Sequence, residues 1–270
     1  MNYIREQSFK TINIELNDHW VTIWLNRPEA RNALSQKMID ELTEVCKTIA
    51  LDTTLRGVAF RGMANCFCSG ADLKELKDKF YKKNADHHQI VEMSMRTAEL
   101  FKSIHNLPQI SVALVNGPAF AGGFGIVSCV DFVIATQDSK FSISETKIGL
   151  VPAQIAPYII EKIGIRLAKK LMLTGVLFDG SQAYQYGVVD EVLKTEKQLN
   201  TAFLKLRGRL CRNGPHATAT TKAIINVINH LKPQEKANFL ANKFADCLID
   251  DEAQEGISAF SEKRTPNWVD

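Results

Sequence analysis

The stretch Val115-Asn116-Gly117-Pro118-Ala119-Phe120-Ala121-Gly122-Gly123-Phe124-Gly125 decides the fold of this 270-residue chain. Four glycines fall within nine residues. The apolar run Ile110–Val115 before them reads as a buried strand, and the apolar run 124–130 as the opening of a helix. A strand, a glycine-rich turn and a helix N-terminus together point free backbone N–H groups at negative charge. Glycine lets a ligand approach the backbone closely. Read alone, the segment equally suits a tight turn that only packs a helix on a strand. A second glycine loop, Cys66-Phe67-Cys68-Ser69-Gly70-Ala71-Asp72-Leu73, also follows a strand and precedes a helical run. Two such loops at the ends of adjacent strands can converge on one oxygen and stabilise charge developing there.

Working outward, strands and helices alternate. Residues 12–16 and Trp20–Leu25 alternate apolar and polar around an Asn17-Asp18 turn signal. Pro28 breaks that pattern. Residues 35–49 follow with helical spacing: Met38, Leu42, Val45 and Ile49 share a face, and Ser35 is placed as N-cap. Residues 58–60 read as a short buried strand, 73–88 as a charge-dense solvated segment that could close as a lid, and 90–104 as an amphipathic helix. Strands are expected at 132–135, 141–143 and 188–192, and short helices at 156–163, 166–173 and 181–186. The last third, 199–212, 215–231, 234–249 and 251–263, has helical periodicity alone. The expectation is an α/β core over 1–195 and a helical region over 196–270.

Composition narrows the class of function. The chain is 45% hydrophobic and 23% charged, with a net charge of +3. That is ordinary globular composition, and it gives no basic face for a dedicated nucleic-acid binder. No run is long enough to span a membrane, and the polar start 1–10 has no apolar signal segment. The six cysteines, Cys46, Cys66, Cys68, Cys129, Cys211 and Cys247, are scattered without metal-ligand spacing. They suit reduced thiols, so the expectation is a cytoplasmic protein with no metal.

The two loops also resemble a known family. Phe67-x-Ser69-Gly70-Ala71-Asp72-Leu73-Lys74 and Val115-Asn116-Gly117-x-Ala119-x-x-Gly122-Gly123 are similar to the two signature loops of the crotonase (enoyl-CoA hydratase/isomerase) superfamily. Further matches run in order along the chain: Leu25-Asn26-Arg27-Pro28-x-x-Arg31-Asn32-Ala33-Leu34, Cys129-Val130-Asp131, and Glu255-Gly256-x-x-Ala259-Phe260-x-Glu262-Lys263-Arg264-x-Pro266. The resemblance implies a spiral of ββα units with a helical C-terminal trimerisation region. It implies an acyl-CoA thioester substrate, with coenzyme A part of that substrate and no separate cofactor. It places the oxyanion hole on the backbone N–H groups of Ala71 and Gly122. Ser69, Gly70, Asp72, Leu73, Lys74, Gly123 and Gly125 fall in the substrate-binding segments by the same matching.

Hydratases of this superfamily typically hold a water between two glutamates. The first falls at Gly125 in this chain; the second is present as Glu145. A carboxylate beside an apolar pocket has its pKa raised toward the range useful for acid–base work. Residues 116–125 and 144–158 are similar to a branch of methylglutaconyl-CoA hydratase-like proteins, which implies a branched or dicarboxylic enoyl-CoA. Gly125 is expected to leave room beside the β-carbon for such a group. Two other readings stand beside it. A Δ3-Δ2-enoyl-CoA isomerase needs one glutamate only, and a non-catalytic or RNA-associated binding protein could use the same scaffold. Lys74 leads the candidates for the phosphates of coenzyme A, ahead of Arg27 and Arg31, with Lys263 or Arg264 of a neighbouring subunit. Lys147 is near Glu145 in sequence and is considered for a distal carboxylate. A homotrimer or dimer of trimers is expected.

Overall fold

A computed structural model describes residues 8–81 and 86–269. It has nine strands and ten helices among the described residues. The strands are β1 (Ile12–Asn17), β2 (Trp20–Leu25), β3 (Gly57–Gly62), β4 (Ile110–Val115), β5 (Pro118–Phe120), β6 (Phe132–Thr136), β7 (Lys140–Ser142), β8 (Phe178–Asp179) and β9 (Glu191–Leu193). The first helices are α1 (Gln36–Ala50), α2 (Leu73–Leu76), α3 (His87–His105), α4 (Gly122–Cys129), α5 (Ala156–Thr174) and α6 (Gly180–Gln185). The remainder are α7 (Glu196–Leu210), α8 (Pro215–Ile228), α9 (Pro233–Leu248) and α10 (Asp251–Glu262). A mixed α/β core and a helical C-terminal region are therefore present, as the sequence implied.

The larger sheet has the order β1-β2-β3-β4-β6-β9 and the smaller one the order β5-β7-β8. Only β1 and β2 form a hairpin pair in the larger sheet; β2/β3, β4/β6 and β6/β9 are parallel. The central strands β3 and β4 are buried along their whole length, which is why they read as continuous apolar runs rather than alternating ones. Ser35 caps α1, its hydroxyl accepting from Met38 N at 3.2 Å, and Met38, Leu42, Val45 and Ile49 face the core as their spacing requires.

Two compact units emerge. The first runs to Leu107 and resumes over Ser111–Ala202; the second comprises Pro108–Ile110 and the chain from Phe203 onward. In the second unit Glu252 closes the start of α8, accepting from His216 N at 2.8 Å and Ala217 N at 2.9 Å. That carboxylate satisfies N–H groups a helix leaves without partners.

Some expectations shift. The two short helices expected at 156–163 and 166–173 are not among them: they are the two arms of α5, parted where Gly164 leaves helical geometry at φ 73° and ψ 156°. The strand expected over 188–192 shrinks to β9, because Val188 and Val189 are buried in the connection before it. β5 and β8 are too short to leave a periodic signal. The described part of the charge-dense segment holds α2, the wider turn Lys77–Tyr81 and the start of α3 with its cap Asp86; Lys82 and Lys83 of the expected lid lie outside the described residues.

The N-terminal strand is tied to α1 by one buried carboxylate. Glu41 accepts from Lys10 N at 3.0 Å, Thr11 N at 2.9 Å and the Thr11 hydroxyl. Burial alone would raise its pKa, but these donors outweigh burial and hold it below the ordinary value. A depressed folded-state pKa stabilises above the unfolded value and is lost as pH falls through the folded one. Glu41→Ala is expected to cost about 2 kcal/mol in urea unfolding near neutral pH, with the gap to the parent protein closing in acid.

Candidate active site

The first glycine loop is held from below by Asn32. Its buried side chain donates to Met63 O at 2.9 Å and Cys66 O at 2.6 Å and accepts from Arg27 N at 2.9 Å. Leu34 bridges Ala71: Leu34 N–H donates to Gly70 O at 2.7 Å, and Asp72 N–H to Leu34 O at 3.1 Å. This pairing uses the Gly70 carbonyl and the Asp72 N–H on either side of Ala71 and leaves the Ala71 N–H unclaimed by the ladder.

The second loop is stitched to the first. Cys68 N–H donates to Pro118 O at 3.0 Å and Phe120 N–H to Cys68 O at 2.9 Å. Gly122 opens α4, where a first-turn N–H has no intrahelical partner. The backbone just before it is strained: Ala121 has φ 49° and ψ −119°, a conformation costing a non-glycine residue about 1–3 kcal/mol. Its N–H donates to Ser142 O at 2.9 Å, and its carbonyl accepts from Gly125 N at 3.0 Å. Both bonds hold the strained peptide in place.

The glycines are required by this crossing. A Cβ on Gly70, whose φ is +98°, would lie 2.7 Å from the Ala121 methyl. One on Gly123 would lie 2.4 Å from Cys68 O. The Ala71 and Gly122 amides thus belong to loops in van der Waals contact, and both residues line one cavity of about 250 Å³.

Glu145 reaches the same cavity from the turn Glu145–Ile148, which follows β7. Its Oε2 is buried with no hydrogen-bond partner. Burial raises its pKa, and its own backbone N–H offsets only part of that. The other buried polar atom of the lining without a partner is Gln36 Nε2, among the described residues. Most of the remaining wall is apolar, from Leu34, Ile39, Leu76, Met93, Phe101 and Ile155.

Ser69, Asp72 and Leu73 also line the cavity. Asp72 has a structural task there: it caps α2 through Glu75 N at 3.1 Å and pairs with Arg27 at 2.9 Å. Burial raises its pKa, but the Glu75 and Lys74 N–H groups and the Arg27 guanidinium outweigh burial and hold the carboxyl below its usual range. Arg27 also donates to Ala33 O at 2.8 Å, so it secures the loop and does not point outward to a phosphate. Gly70 and Gly123 act through backbone clearance rather than as cavity wall, and Lys74 is exposed on α2 outside the lining.

Two expectations are corrected. The room expected at Gly125 does not exist: a Cβ there would meet Ile155 Cγ2 at 2.2 Å and Phe101 Cε1 at 2.8 Å. Those two side chains fill the space and themselves form the wall. Lys147 is outside the lining, its aliphatic stem lying against Gly175; among the described residues the cation on the wall is Lys79. Sequence reasoning missed the contribution of α3, although Met93, Thr97 and Phe101 repeat at helical spacing within the stretch already read as an amphipathic helix.

Two backbone segments and a buried carboxylate lining one largely apolar cavity fit a class of acyl-transferring or enolate-forming sites. The sequence pattern of the enoyl-CoA hydratase/isomerase family matches residues 15–270, and the chain belongs to that family. It is 30% identical over 263 residues to the enoyl-CoA hydratase EchA19 of Mycobacterium tuberculosis, covering 94% of this chain and 95% of that one. It is 29% identical over 245 residues to the 2,3-dehydroadipyl-CoA hydratase of Escherichia coli, covering 90% and 92%. The solved structure of Pseudomonas aeruginosa AtuE superposes with a TM-score of 0.93 at 32% identity, covering 97% of this chain and all of that one. No helix among the described residues is long and apolar enough to cross a membrane.

The clearances order two substitutions. Gly123→Ala forces a methyl against a backbone carbonyl and is expected to cost about 3 kcal/mol. Gly122→Ala meets only Leu34 Cδ1, at 2.8 Å, the far end of a side chain that can turn aside. Chemical denaturation should find it within about 1 kcal/mol of the parent.

Proposed function

We propose that the protein is an enoyl-CoA hydratase that adds water reversibly to the 2,3 double bond of a branched or dicarboxylic enoyl-CoA, such as 3-methylglutaconyl-CoA. The observation that carries this is the Glu145 carboxyl, its Oε2 buried and without a hydrogen-bond partner, in the same cavity as Ala71 and Gly122. In this reading the two N–H groups receive the thioester oxygen and make the β-carbon electrophilic. Glu145 takes a proton from water as its oxygen bonds to the β-carbon, and the alkene electron pair moves onto the thioester oxygen. The same carboxyl returns the proton to the α-carbon as the enolate collapses. Substrate plus water gives product with nothing left over.

The preference for a polar acyl group is supported by Lys79 and the Gln36 amide on a wall that mixes apolar and polar side chains. The name of the Escherichia coli relative, a hydratase of a dicarboxylic enoyl-CoA, agrees with it. Assembly into trimers in the cytoplasm belongs to the same reading, supported by the exposed Phe244, Ile249 and Phe260 of the C-terminal unit. Gly125 favours a second reading, a Δ3-Δ2-enoyl-CoA isomerase, because one carboxylate suffices to move a proton between two carbons.

Purified protein is followed with 3-methylglutaconyl-CoA and crotonyl-CoA in turn. Loss of enoyl-thioester absorbance with a mass gain of one water is expected, faster with the first. Glu145→Gln should lower the rate by about 100- to 10,000-fold. Conversion of a 3-enoyl-CoA without hydration of either substrate would transfer the assignment to the isomerase.

The base must be ionised to act. Burial raises its pKa, so kcat/KM should fall on acidification through a midpoint above the ordinary glutamate value. A pH–rate profile with its acid limb at or below that ordinary value would remove Glu145 from the role.

A further inference from the structure

We propose that Gln154, oriented by Ser94, holds the water that Glu145 activates; this rests on the hydratase reading above. Gln154 Nε2 donates to Ser94 Oγ at 2.8 Å, a bond between α3 and the segment leading into α5. Both residues line the cavity that contains Glu145. With its amide nitrogen committed to Ser94, the Gln154 side chain offers Oε1, an atom that only accepts. A water lying between two acceptors, Gln154 Oε1 and the Glu145 carboxylate, has each of its hydrogens directed and a lone pair left for attack.

The position of the pair follows from the packing around Gly125. Phe101 and Ile155 fill the space where a side chain at 125 would stand. Gln154 is the chain neighbour of Ile155, and Ser94 precedes Phe101 by seven residues on the same face of α3. Thr97, between them on that face, also lines the cavity. A polar strip therefore borders the apolar plug that Gly125 permits. The chain lacks a carboxylate at 125 and carries on the bordering wall a neutral amide with a fixed orientation. Gln154 exchanges no proton: it accepts a hydrogen bond from the water hydrogen that stays with the product hydroxyl, while the other hydrogen passes through Glu145 to the α-carbon.

The test uses the full-length protein and crotonyl-CoA, with Gln154→Leu, Gln154→Glu and Ser94→Ala. Gln154→Leu is expected to lower the kcat of hydration about 100-fold with KM within threefold, because a misplaced nucleophile costs rate rather than binding. Exchange of the α-proton of butyryl-CoA in D2O, which needs Glu145 but no attacking water, should stay within threefold of the parent. Gln154→Glu should restore hydration to within tenfold and add a second ionisation to the pH profile. Ser94→Ala should lower kcat about tenfold, and it keeps the inference testable if Gln154→Leu does not fold.

Parallel losses of hydration and exchange would make the Gln154–Ser94 bond a structural strap and overturn the assignment. So would unchanged hydration in Gln154→Leu with the parent active. A parent protein that exchanges the α-proton yet hydrates no enoyl-CoA would overturn the hydratase reading itself, and this inference with it.

Discussion

The contact between two glycine loops sets the geometry on which everything else depends. Gly70 passes so close to Ala121 that neither loop can shift without the other. The bridge between Cys68 and Ala119 and the one between Leu34 and Ala71 join the two loops to their neighbours by backbone bonds. Backbone bonds do not change rotamer, so the two amides keep their separation whatever the side chains nearby do. The parallel strands and the buried α4 act as the rigid frame behind this contact, with Phe124, Phe141 and Phe178 packed edge to face or stacked at centroid distances of 6.3, 6.0 and 5.7 Å.

Around this frame the charge is distributed sparingly. Asp72 and Arg27 neutralise one another at the cavity edge and fix the loop. Glu145 has no such partner, and the apolar wall raises the free energy of its ionised form. The two carboxylates therefore differ in use because they differ in neighbours. One is held ionised by donors that keep the loop shut, and the ionised form of the other is disfavoured by the apolar wall around it.

Much of this was legible in the chain. The glycine spacing at 117–125 marked an anion site near Gly122, the family resemblance of the two loops put the amides on Ala71 and Gly122, and the helical spacing of 35–49 marked α1 with its cap. The rest depends on contacts between distant residues. Arg27 looked free to meet a phosphate because nothing local shows that Asp72, 45 residues away, returns to it. Gly125 looked like open space because a missing side chain says nothing of what fills the volume, here Phe101 and Ile155. In the smaller sheet only β7 was legible; β5 and β8 escaped because they are three and two residues long, below the length at which alternation can be recognised. Asn32, buried and in the left-handed region at φ 54°, carried no mark beyond its place in an Arg-Asn-Ala-Leu run.

The strained Ala121 has a consequence for how this corner can vary over time. Its methyl occupies the clearance that Gly70 leaves, so the two positions share one small volume. A chain that placed a side chain at 70 would first have to surrender the methyl at 121. A larger residue at 121 would press on the Gly70 backbone and carry the strain of a positive φ as well. The first route opens only after Ala121→Gly, which also relieves the positive φ, so what position 70 can hold depends on position 121 even though 51 positions of sequence separate them.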